Sequence, residues 1–210
     1  MKQACVIGWP IAHSLSPTIH GYWLRTLGID GAYLREPVAP ADLKAFLSSF
    51  ADRGYCGGNI TVPHKIEVLR YCDVGDAAAA AIGAVNTLWF DRGRLLGGNT
   101  DAFGFTANLD EVAGGWDARG PAVVIGAGGA SRAVVWALAQ RGIADIRIVN
   151  RTVARAQELA AAFPPARAAG FDALPRALEG AHLVVNASTS GMTGQQPLEI
   201  DLSPVSKDAT

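Results

Sequence analysis

The sequence has little net charge, little cysteine and no long apolar run. Its 18 basic and 19 acidic residues leave a net charge of −1, which provides no broad field for nucleic acid or an anionic membrane. Three cysteines without CxxC spacing argue against a disulfide scaffold and suit a reducing, cytoplasmic compartment. No stretch approaches the ~20 apolar residues of a membrane span or forms a secretory signal. The expected partners are therefore small molecules.

The chain does have enough apolar residues for a substantial core, since half of its 210 residues are hydrophobic. Such a chain forms one large domain or two small ones. Apolar runs of strand length alternate with helix-period segments, which predicts an α/β fold with largely parallel sheets. The glycine-rich GGWDARG at 114–120 is the best candidate for an interdomain boundary. We therefore predict two domains.

The predicted elements of the first half are short strands and helices in alternation. The strands are expected at 4–8, 32–36 and 57–62, with a hairpin of 85–90 and 94–98. The helices are expected at 16–28, at 41–52, from Pro63 toward Arg70, at 77–81 and at 102–113. The first helix carries Ile19, Trp23 and Leu27 at four-residue spacing, which predicts one apolar face.

The second half has the strand and helix order of a doubly wound, Rossmann-type nucleotide-binding domain. Its strands are predicted at 122–125, 145–149, 167–171 and 182–186, and its helices at 130–141, 152–162 and 173–179. Doubly wound sheets normally contain more strands than these four. We therefore expect the nucleotide-binding domain to be incomplete at its C-terminal end.

A glycine-rich loop follows the first strand of that domain and precedes a helix. Such a loop lets the backbone approach a pyrophosphate, while the helix N-terminus offers free N–H groups and partial positive charge. The third glycine position of the usual pattern is Ser131, and glycine-rich turns are common, so the loop alone is a weak signal. The candidate cofactor-binding residues of the loop are Gly126, Ala127, Gly128, Gly129 and Ala130.

The residues after the next strand favour NADP over NAD. NAD-binding proteins place an Asp or Glu there for the ribose 2′-hydroxyl, whereas this chain has Asn150, Arg151 and Thr152, with Arg155 one turn later. Guanidinium groups can bind a 2′-phosphate through paired hydrogen bonds, and a carboxylate would repel it. The alternative is that Thr152 merely caps the helix and that both arginines are solvated.

Four polar clusters of the first half follow or flank predicted strands, where open α/β sheets bind their ligands. Their sequences are SLSP, NITVPHK, GAVNT and GGNTDAFG. Considered singly, each has an ordinary explanation: Ser14, Ser16 and Asp101 could cap helices, and Asn59 and Asn86 could satisfy turns. Together they supply hydroxyls, amides, a lysine and a carboxylate, which suit a small polyhydroxylated acid. No pair has metal-ligand spacing, so no metal is expected.

Lys65 is unusual because the chain has only four lysines against fourteen arginines. A lysine can donate a proton to a developing alkoxide, whereas arginine effectively cannot release its proton. The alternative is a solvated cation in the first turn of a helix, where the helix dipole disfavours positive charge. The neighbouring His64 is interpreted as a surface side chain. We therefore single out Lys65 as the candidate catalyst.

These motifs resemble the shikimate dehydrogenase family, and the resemblance spans nearly the whole chain. It rests on the four polar clusters, the glycine loop, Asn150-Arg151-Thr152, Asn186 and Gly191-Met192. It implies reversible, NADPH-dependent reduction of 3-dehydroshikimate to shikimate, a step of chorismate and aromatic amino-acid biosynthesis. Family members continue into a C-terminal segment with a substrate-binding glutamine, for which this chain shows no counterpart.

The resemblance also implies residue roles. Ser14 and Ser16 would bind the substrate carboxylate, Thr61, Asn86 and Asp101 would contact its hydroxyls, and Lys65 and Asp101 would be the catalytic pair. We expect a substrate-binding domain at 1–101, a connecting helix and linker at 102–119 and an NADP-binding domain at 120–210, in a monomer or homodimer with the active site in the interdomain cleft. The alternatives are an NAD-dependent quinate/shikimate dehydrogenase and a catalytically silent NADP-binding remnant.

Overall fold

The computed structural model describes residues 1–118, 120–192 and 194–210. They form two compact units, Met1–Thr100 and Asp101–Thr210. Both units combine helices with a mainly parallel or mixed sheet, so the predicted α/β class is confirmed. Among the described residues, no helix has both the length and the apolar character that crossing a bilayer requires.

The first unit contains a six-stranded sheet and short helices. Its strands are β1 (Lys2–Gly8), β2 (Gly31–Pro37), β3 (Tyr55–Ile60), β4 (Asp73–Val74), β5 (Thr87–Asp91) and β6 (Arg94–Gly98). Its helices are α1 (Ser16–Thr26), α2 (Leu43–Ser48) and α3 (Ala77–Ile82), with 3₁₀ turns at Pro40–Asp42 and Glu67–Arg70. The two-residue β4 was not predicted, because a strand that short leaves no periodic pattern.

The strand order of this sheet is β2-β1-β3-β5-β6-β4. Strand β1 pairs in parallel with β2 and β3, whereas β5 runs antiparallel to β3 and β6. The register places Val6 beside Asn59, Asn59 beside Thr87, and Thr87 beside Gly98. One edge of the sheet, running across the strand ends, is therefore formed by the last residues of β1, β3 and β6 and the first residue of β5.

The core of the first unit is built around aromatic rings. Phe50 is fully buried, and its ring stacks on Tyr55 with 5.0 Å between ring centroids. Burial of such a ring contributes roughly 1.5–3 kcal/mol. Gly58 of β3 allows the strands to approach, since a Cβ there would lie 2.6 Å from the carbonyl oxygen of Cys5. The sheet and α2 thus pack against each other and share one hydrophobic core.

Helix α1 contributes no buried residue to this core. The apolar face predicted for it is present but uncovered, with Ile19, Trp23 and Leu27 exposed by 45%, 51% and 68%. A recess of about 360 Å³ lies between α1 and strands β1, β2, β3 and β5. Its lining includes Leu24 and Gly57 but none of the predicted substrate-binding residues.

The second unit has the doubly wound order predicted for it. Its strands are β7 (Ala122–Ile125), β8 (Ile146–Val149), β9 (Ala166–Ala169) and β10 (Leu183–Asn186). Its helices are α4 (Asp101–Val112), α5 (Gly129–Gln140), α6 (Val153–Ala162) and α7 (Leu174–Leu178), with a 3₁₀ turn at Phe171–Ala173. All strands are parallel in the order β10-β7-β8-β9.

Both faces of this second sheet are covered. Val124 packs with Leu138 and Ile148 in one cluster, whereas Val123 and Ile125 belong to a second cluster on the other side of the strand. Successive side chains of a strand point to opposite faces, so this division follows from the strand geometry. Every residue of β7 is buried, as expected of a central parallel strand.

The segment between β3 and α3 carries Lys65 and differs from the helix predicted from Pro63. Only Glu67–Arg70 is helical, as a 3₁₀ turn. The carbonyl of Lys65, which an α-helix would bond to the N–H four residues later, instead accepts the N–H of Val85 at 2.7 Å. Lys65 therefore lies in a turn bonded to the segment before β5, and the argument from the helix dipole does not apply.

The interpretation of His64 as a surface side chain was wrong. His64 is 1% exposed, and its Nε2 lies 2.7 Å from the carbonyl oxygen of Val38. A carbonyl only accepts, so Nε2 must carry the hydrogen. Burial lowers the pKa of His64, although the Val38 hydrogen bond acts in the opposite direction. The neutral ring thus anchors the turn that carries Lys65 to the end of β2.

We predict that His64 makes stability depend on pH. Because its folded pKa is depressed below the ordinary 6.5, the unfolded chain binds the additional proton. The stability is therefore fully present above about pH 6.5 and is lost as pH falls below it. Urea unfolding between pH 7.5 and 5 measures this loss, and His64→Phe should reduce the slope.

The substitution His13→Gln, at an exposed position, controls for the removal of a histidine. An unchanged pH slope in His64→Phe would contradict the assignment of this dependence to His64.

Candidate functional site

The polar residues predicted in the first unit gather at the edge defined by the strand register. Asn59 lies near the end of β3, and Thr61 follows that strand, with its N–H bonded to the carbonyl of Ile7 at 2.9 Å. Asn86 immediately precedes β5, and its carbonyl accepts the N–H of Ile60 at 2.8 Å. Backbone pairing therefore brings Thr61 and Asn86 to the same edge as the turn of Lys65.

Ser14 and Ser16 lie on the loop after β1 and at the start of α1. The Arg35 guanidinium of β2 holds this loop, because its Nε and Nη2 donate to the Ser14 carbonyl at 3.0 and 2.6 Å. The Ser14 hydroxyl oxygen accepts the N–H of Ser16 at 3.3 Å. Leu15 is at the N-cap position of α1 and makes no side-chain capping bond, so the predicted N-cap role of Ser16 was wrong.

Asn86 is a buried amide, with 8% exposure. Its Oδ1 accepts the backbone N–H of Thr100 at 3.0 Å and the Thr87 hydroxyl at 2.9 Å, and its Nδ2 donates to the Thr100 hydroxyl at 3.0 Å. Buried amides require such partners, since an unsatisfied polar atom costs roughly 1–3 kcal/mol. The side chain therefore has one defined orientation.

Asp101 follows Thr100 directly in the chain and begins α4, the first element of the second unit. Its carboxylate lies in the first turn of this helix, where the helix dipole stabilises negative charge. That position is compatible with its ordinary interpretation as a helix-start residue as well as with a catalytic role.

The sequence motifs assign no role to several residues that organise this edge. Asp76 Oδ1 caps α3 by accepting the N–H of Ala79 at 2.5 Å, and its Oδ2 accepts the N–H of Asn99 at 3.0 Å. An aspartate before an alanine run is an N-cap signal that could have identified it. Thr87 and Thr100 lie inside the polar clusters, but nothing in their spacing indicates that both contact Asn86.

The glycine loop of the second unit lies at the carboxyl end of β7. Gly126 has φ +114°, and a Cβ there would lie 3.0 Å from the N atom of Ser188, so only glycine fits. Gly128 caps α5. Ser131 is fully buried, and its Oγ accepts the N–H of Gly128 at 3.2 Å. The serine at the third glycine position is thus part of the loop.

The loop after β8 lies next to the glycine loop. Val149 pairs with Ile125, and the N–H of Gly126 donates to the Val149 carbonyl at 2.8 Å. Asn150 Nδ2 donates to the Thr152 carbonyl at 2.9 Å, which shapes the turn. Thr152 occupies the cap position of α6 without a side-chain capping bond, and Arg151 and Arg155 are exposed.

These features fit a dinucleotide. The α5 N-terminus presents backbone N–H groups beside Gly128, and a Cβ added to that glycine would meet no atom within 4 Å. The exposed arginines follow the neighbouring strand, where a 2′-phosphate would be recognised. Asn186 ends β10 on the other side of β7, and its Oδ1 accepts the N–H of Ser188 at 3.1 Å. Three adjacent strand ends therefore surround the loop.

No group of three or more His, Cys, Asp or Glu side chains within 1–118, 120–192 and 194–210 is placed to hold a metal ion. The candidate groups of the first unit are hydroxyls, amides and the Lys65 side chain. Lys65 itself is partly buried.

Comparisons with known proteins agree with both halves of the chain. A family model described as the shikimate dehydrogenase substrate binding domain matches residues 6–88, and one described as shikimate / quinate 5-dehydrogenase matches residues 116–194. The shikimate dehydrogenase (NADP(+)) of Brucella canis is 51% identical over 212 residues, which cover 99% of this chain and 73% of that protein.

Two solved structures are also similar. The shikimate 5-dehydrogenase of Thermus thermophilus, in complex with NADP(H) and shikimate, is 41% identical with a TM-score of 0.77, and the match covers 91% of this chain and 70% of that one. The shikimate dehydrogenase of Aquifex aeolicus is 32% identical with a TM-score of 0.88, covering 100% and 77%. With two family models and a relative half identical to it, this chain belongs to the shikimate dehydrogenase family.

Proposed function

We propose that this protein catalyses the reversible reduction of 3-dehydroshikimate to shikimate by NADPH, a step of chorismate and aromatic amino-acid biosynthesis. The observation that carries the proposal is the register of the first sheet, which gathers Thr61, Asn86 and the turn of Lys65 at one edge. Separate segments of the chain thereby supply the mixed set of polar groups that a hydroxylated ring acid requires.

The substrate contacts follow from the chemistry of each group. The Ser14 and Ser16 hydroxyls bind the carboxylate, since hydroxyls donate readily to a charged oxygen. Thr61, Asn86 and Asp101 bind the ring hydroxyls. The orientation of Asn86 suits this role because its partners already hold the side chain in place.

Lys65 is the proposed proton donor. When bound, NADPH supplies the hydride that converts the ketone carbon to an alcohol carbon. The Lys65 ammonium donates one proton to the carbonyl oxygen as negative charge develops there, and in the reverse direction the neutral amine accepts that proton from shikimate. Asp101 is the second member of the proposed catalytic pair.

The cofactor contacts are assigned to the second unit. The backbone of Gly126, Ala127, Gly128, Gly129 and Ala130 approaches the pyrophosphate, and the loop of Asn150, Arg151, Thr152 and Arg155 binds the 2′-phosphate. The family-model matches support a division into a substrate-binding domain at 1–101, a connection at 102–119 and an NADP-binding domain at 120–210.

A cytoplasmic location is part of the proposal, because all three cysteines are free thiols, as a reducing compartment favours. Burial raises the pKa of the Cys5 thiol to about 12, so it stays protonated and unreactive at neutral pH. The oligomeric state, monomer or homodimer, stays a prediction.

The function is tested by adding shikimate and NADP⁺ to the purified chain and following the absorbance of reduced nicotinamide. We expect a shikimate-dependent increase that is faster with NADP⁺ than with NAD⁺. A strong preference for NAD⁺ or for quinate would favour the quinate/shikimate alternative. A chain shown by circular dichroism to be folded, yet without any such increase, would instead support a silent NADP-binding remnant.

We expect Lys65→Ala to lower kcat by about 10²- to 10⁴-fold, the usual contribution of a general acid. The affinity for NADPH, measured by quenching of tryptophan fluorescence, should change little because Lys65 belongs to the first unit. Lys65→Arg is the matched control: it keeps the charge but cannot release a proton. Recovery of activity in Lys65→Arg would show that charge alone suffices and would refute the proton-transfer role.

We expect Arg151→Ala to weaken NADPH binding by roughly 10- to 100-fold, since hydrogen bonds to charged groups contribute on this scale. NADH binding should change little, because NADH lacks the 2′-phosphate. Arg176→Ala is the control, since Arg176 is an exposed arginine in the last turn of α7. Equal losses for NADPH and NADH in Arg151→Ala would contradict recognition of the 2′-phosphate.

A further inference from the structure

We propose that Thr87 and Asn59 are positioning residues that fix the Asn86 side chain for substrate binding. The inference rests on the proposed function, in which Asn86 contacts a ring hydroxyl. Thr87 is the first residue of β5 and Asn59 the penultimate residue of β3, and the two are register partners. Their side chains form a chain of hydrogen bonds that ends on the Asn86 amide.

The orientation of the Asn86 amide is determined by a backbone group. The N–H of Thr100 lies 3.0 Å from one amide atom of Asn86. A backbone N–H can only donate, so that atom must be the carbonyl oxygen, Oδ1. The flipped amide would place two N–H groups against each other. Oδ1 therefore points toward Thr100, and Nδ2 donates to the Thr100 hydroxyl at 3.0 Å.

The direction of the next hydrogen bond follows from this orientation. The Thr87 Oγ1 lies 2.9 Å from Asn86 Oδ1. Since Oδ1 only accepts, the single hydroxyl hydrogen of Thr87 must point to Asn86. The Thr87 oxygen then accepts the Asn59 amide, whose Nδ2 lies 3.2 Å away.

Asn59 is oriented by a second backbone group. Its Nδ2 also lies 3.2 Å from the backbone carbonyl of Asn86, which only accepts, so the Asn59 amide cannot flip. The Oδ1 of Asn59 accepts the Tyr33 hydroxyl at 2.5 Å. Each residue from Tyr33 through Asn59 and Thr87 thus donates to the next, and the last bond ends on Asn86. In such a chain each hydrogen bond polarises and strengthens its neighbour.

The network has a consequence for recognition. The Asn86 oxygen, which has two lone pairs, is already approached by the Thr87 hydroxyl at 2.9 Å, by the Thr100 N–H at 3.0 Å and by the Thr100 hydroxyl at 3.3 Å. A ligand hydroxyl therefore has no acceptor to meet on that oxygen. Removing the Thr87 hydroxyl would leave Oδ1 with one strong partner fewer, so that only Thr100 would hold the amide and its position would be less restricted. The Asn86 amide would then have to be ordered when the substrate binds, and the free energy of that ordering would lower the affinity for substrate.

The test compares Thr87→Val with Thr87→Ser. Valine keeps the shape and the β-branching of threonine but has no hydroxyl, whereas serine keeps the hydroxyl. We expect Thr87→Val to raise the KM for shikimate about 5- to 20-fold, with a smaller change in kcat and unchanged NADPH affinity. Thr87→Ser should stay within about twofold of the parent. Equal losses in both variants would refute the role of the hydroxyl.

A double-mutant cycle separates positioning from a general structural effect. If Thr87 acts through Asn86, Thr87→Val should cost little shikimate affinity in an Asn86→Ala background, since nothing is left to position. Shikimate binding measured by calorimetry gives the four affinities. The same fold-loss in both backgrounds would overturn the proposal.

A third measurement does not depend on activity. In ¹H–¹⁵N spectra of the chain, Thr87→Val should shift the side-chain NH₂ signals of Asn86 and Asn59 and speed their exchange with solvent, and Thr87→Ser should not. Unchanged NH₂ signals in Thr87→Val would refute the network even if the parent proved inactive. A parent without shikimate turnover but with these shifts would refute the proposed function alone.

Discussion

The hydrogen-bonded register across β1, β3, β5 and β6 is the constraint on which the polar edge of the first unit depends. Pairing of Val6 with Asn59, of Asn59 with Thr87 and of Thr87 with Gly98 aligns four strand ends. A shift by one residue would turn Asn59 and Thr87 to the other face of the sheet. Backbone pairing, rather than any attraction between the polar side chains, therefore brings these groups together.

Buried polar groups then convert this alignment into defined geometry. The His64 ring donates to Val38, and the Asn86 amide is held by Thr100 and Thr87. Both side chains have a backbone partner that cannot change its own role, a carbonyl for His64 and an N–H for Asn86. Leaving these buried atoms unpaired would be costly, so the contacts restrict both side chains to one arrangement. The turn of Lys65 gains its position from the same kind of contact, the bond from Val85.

The second unit follows a simpler rule, because parallel strands place all of their carboxyl ends at one edge. The glycine loop after β7 and the arginine loop after β8 are therefore neighbours by topology. Most of this arrangement was predictable: strand β7 was predicted at its observed bounds, and the other strands within one or two residues. Ser131 is a departure from the usual glycine pattern. In the structure its buried hydroxyl satisfies the N–H of Gly128, a contact that spacing alone does not indicate.

Local sequence patterns were enough to predict most of the strands and helices in their order, the doubly wound second half and the kinds of polar group at the strand ends. Periodicity, glycine content and hydroxyl or amide chemistry are local properties, so they can be read along the chain. The burial of His64, the turn at Lys65 in place of a helix, and the direction of the Asn86 amide emerged only from the folded chain. Those outcomes depend on partners 26 residues away for His64 and 14 residues away for Asn86. Contacts over such distances arise from strand pairing and burial, and no local pattern encodes them.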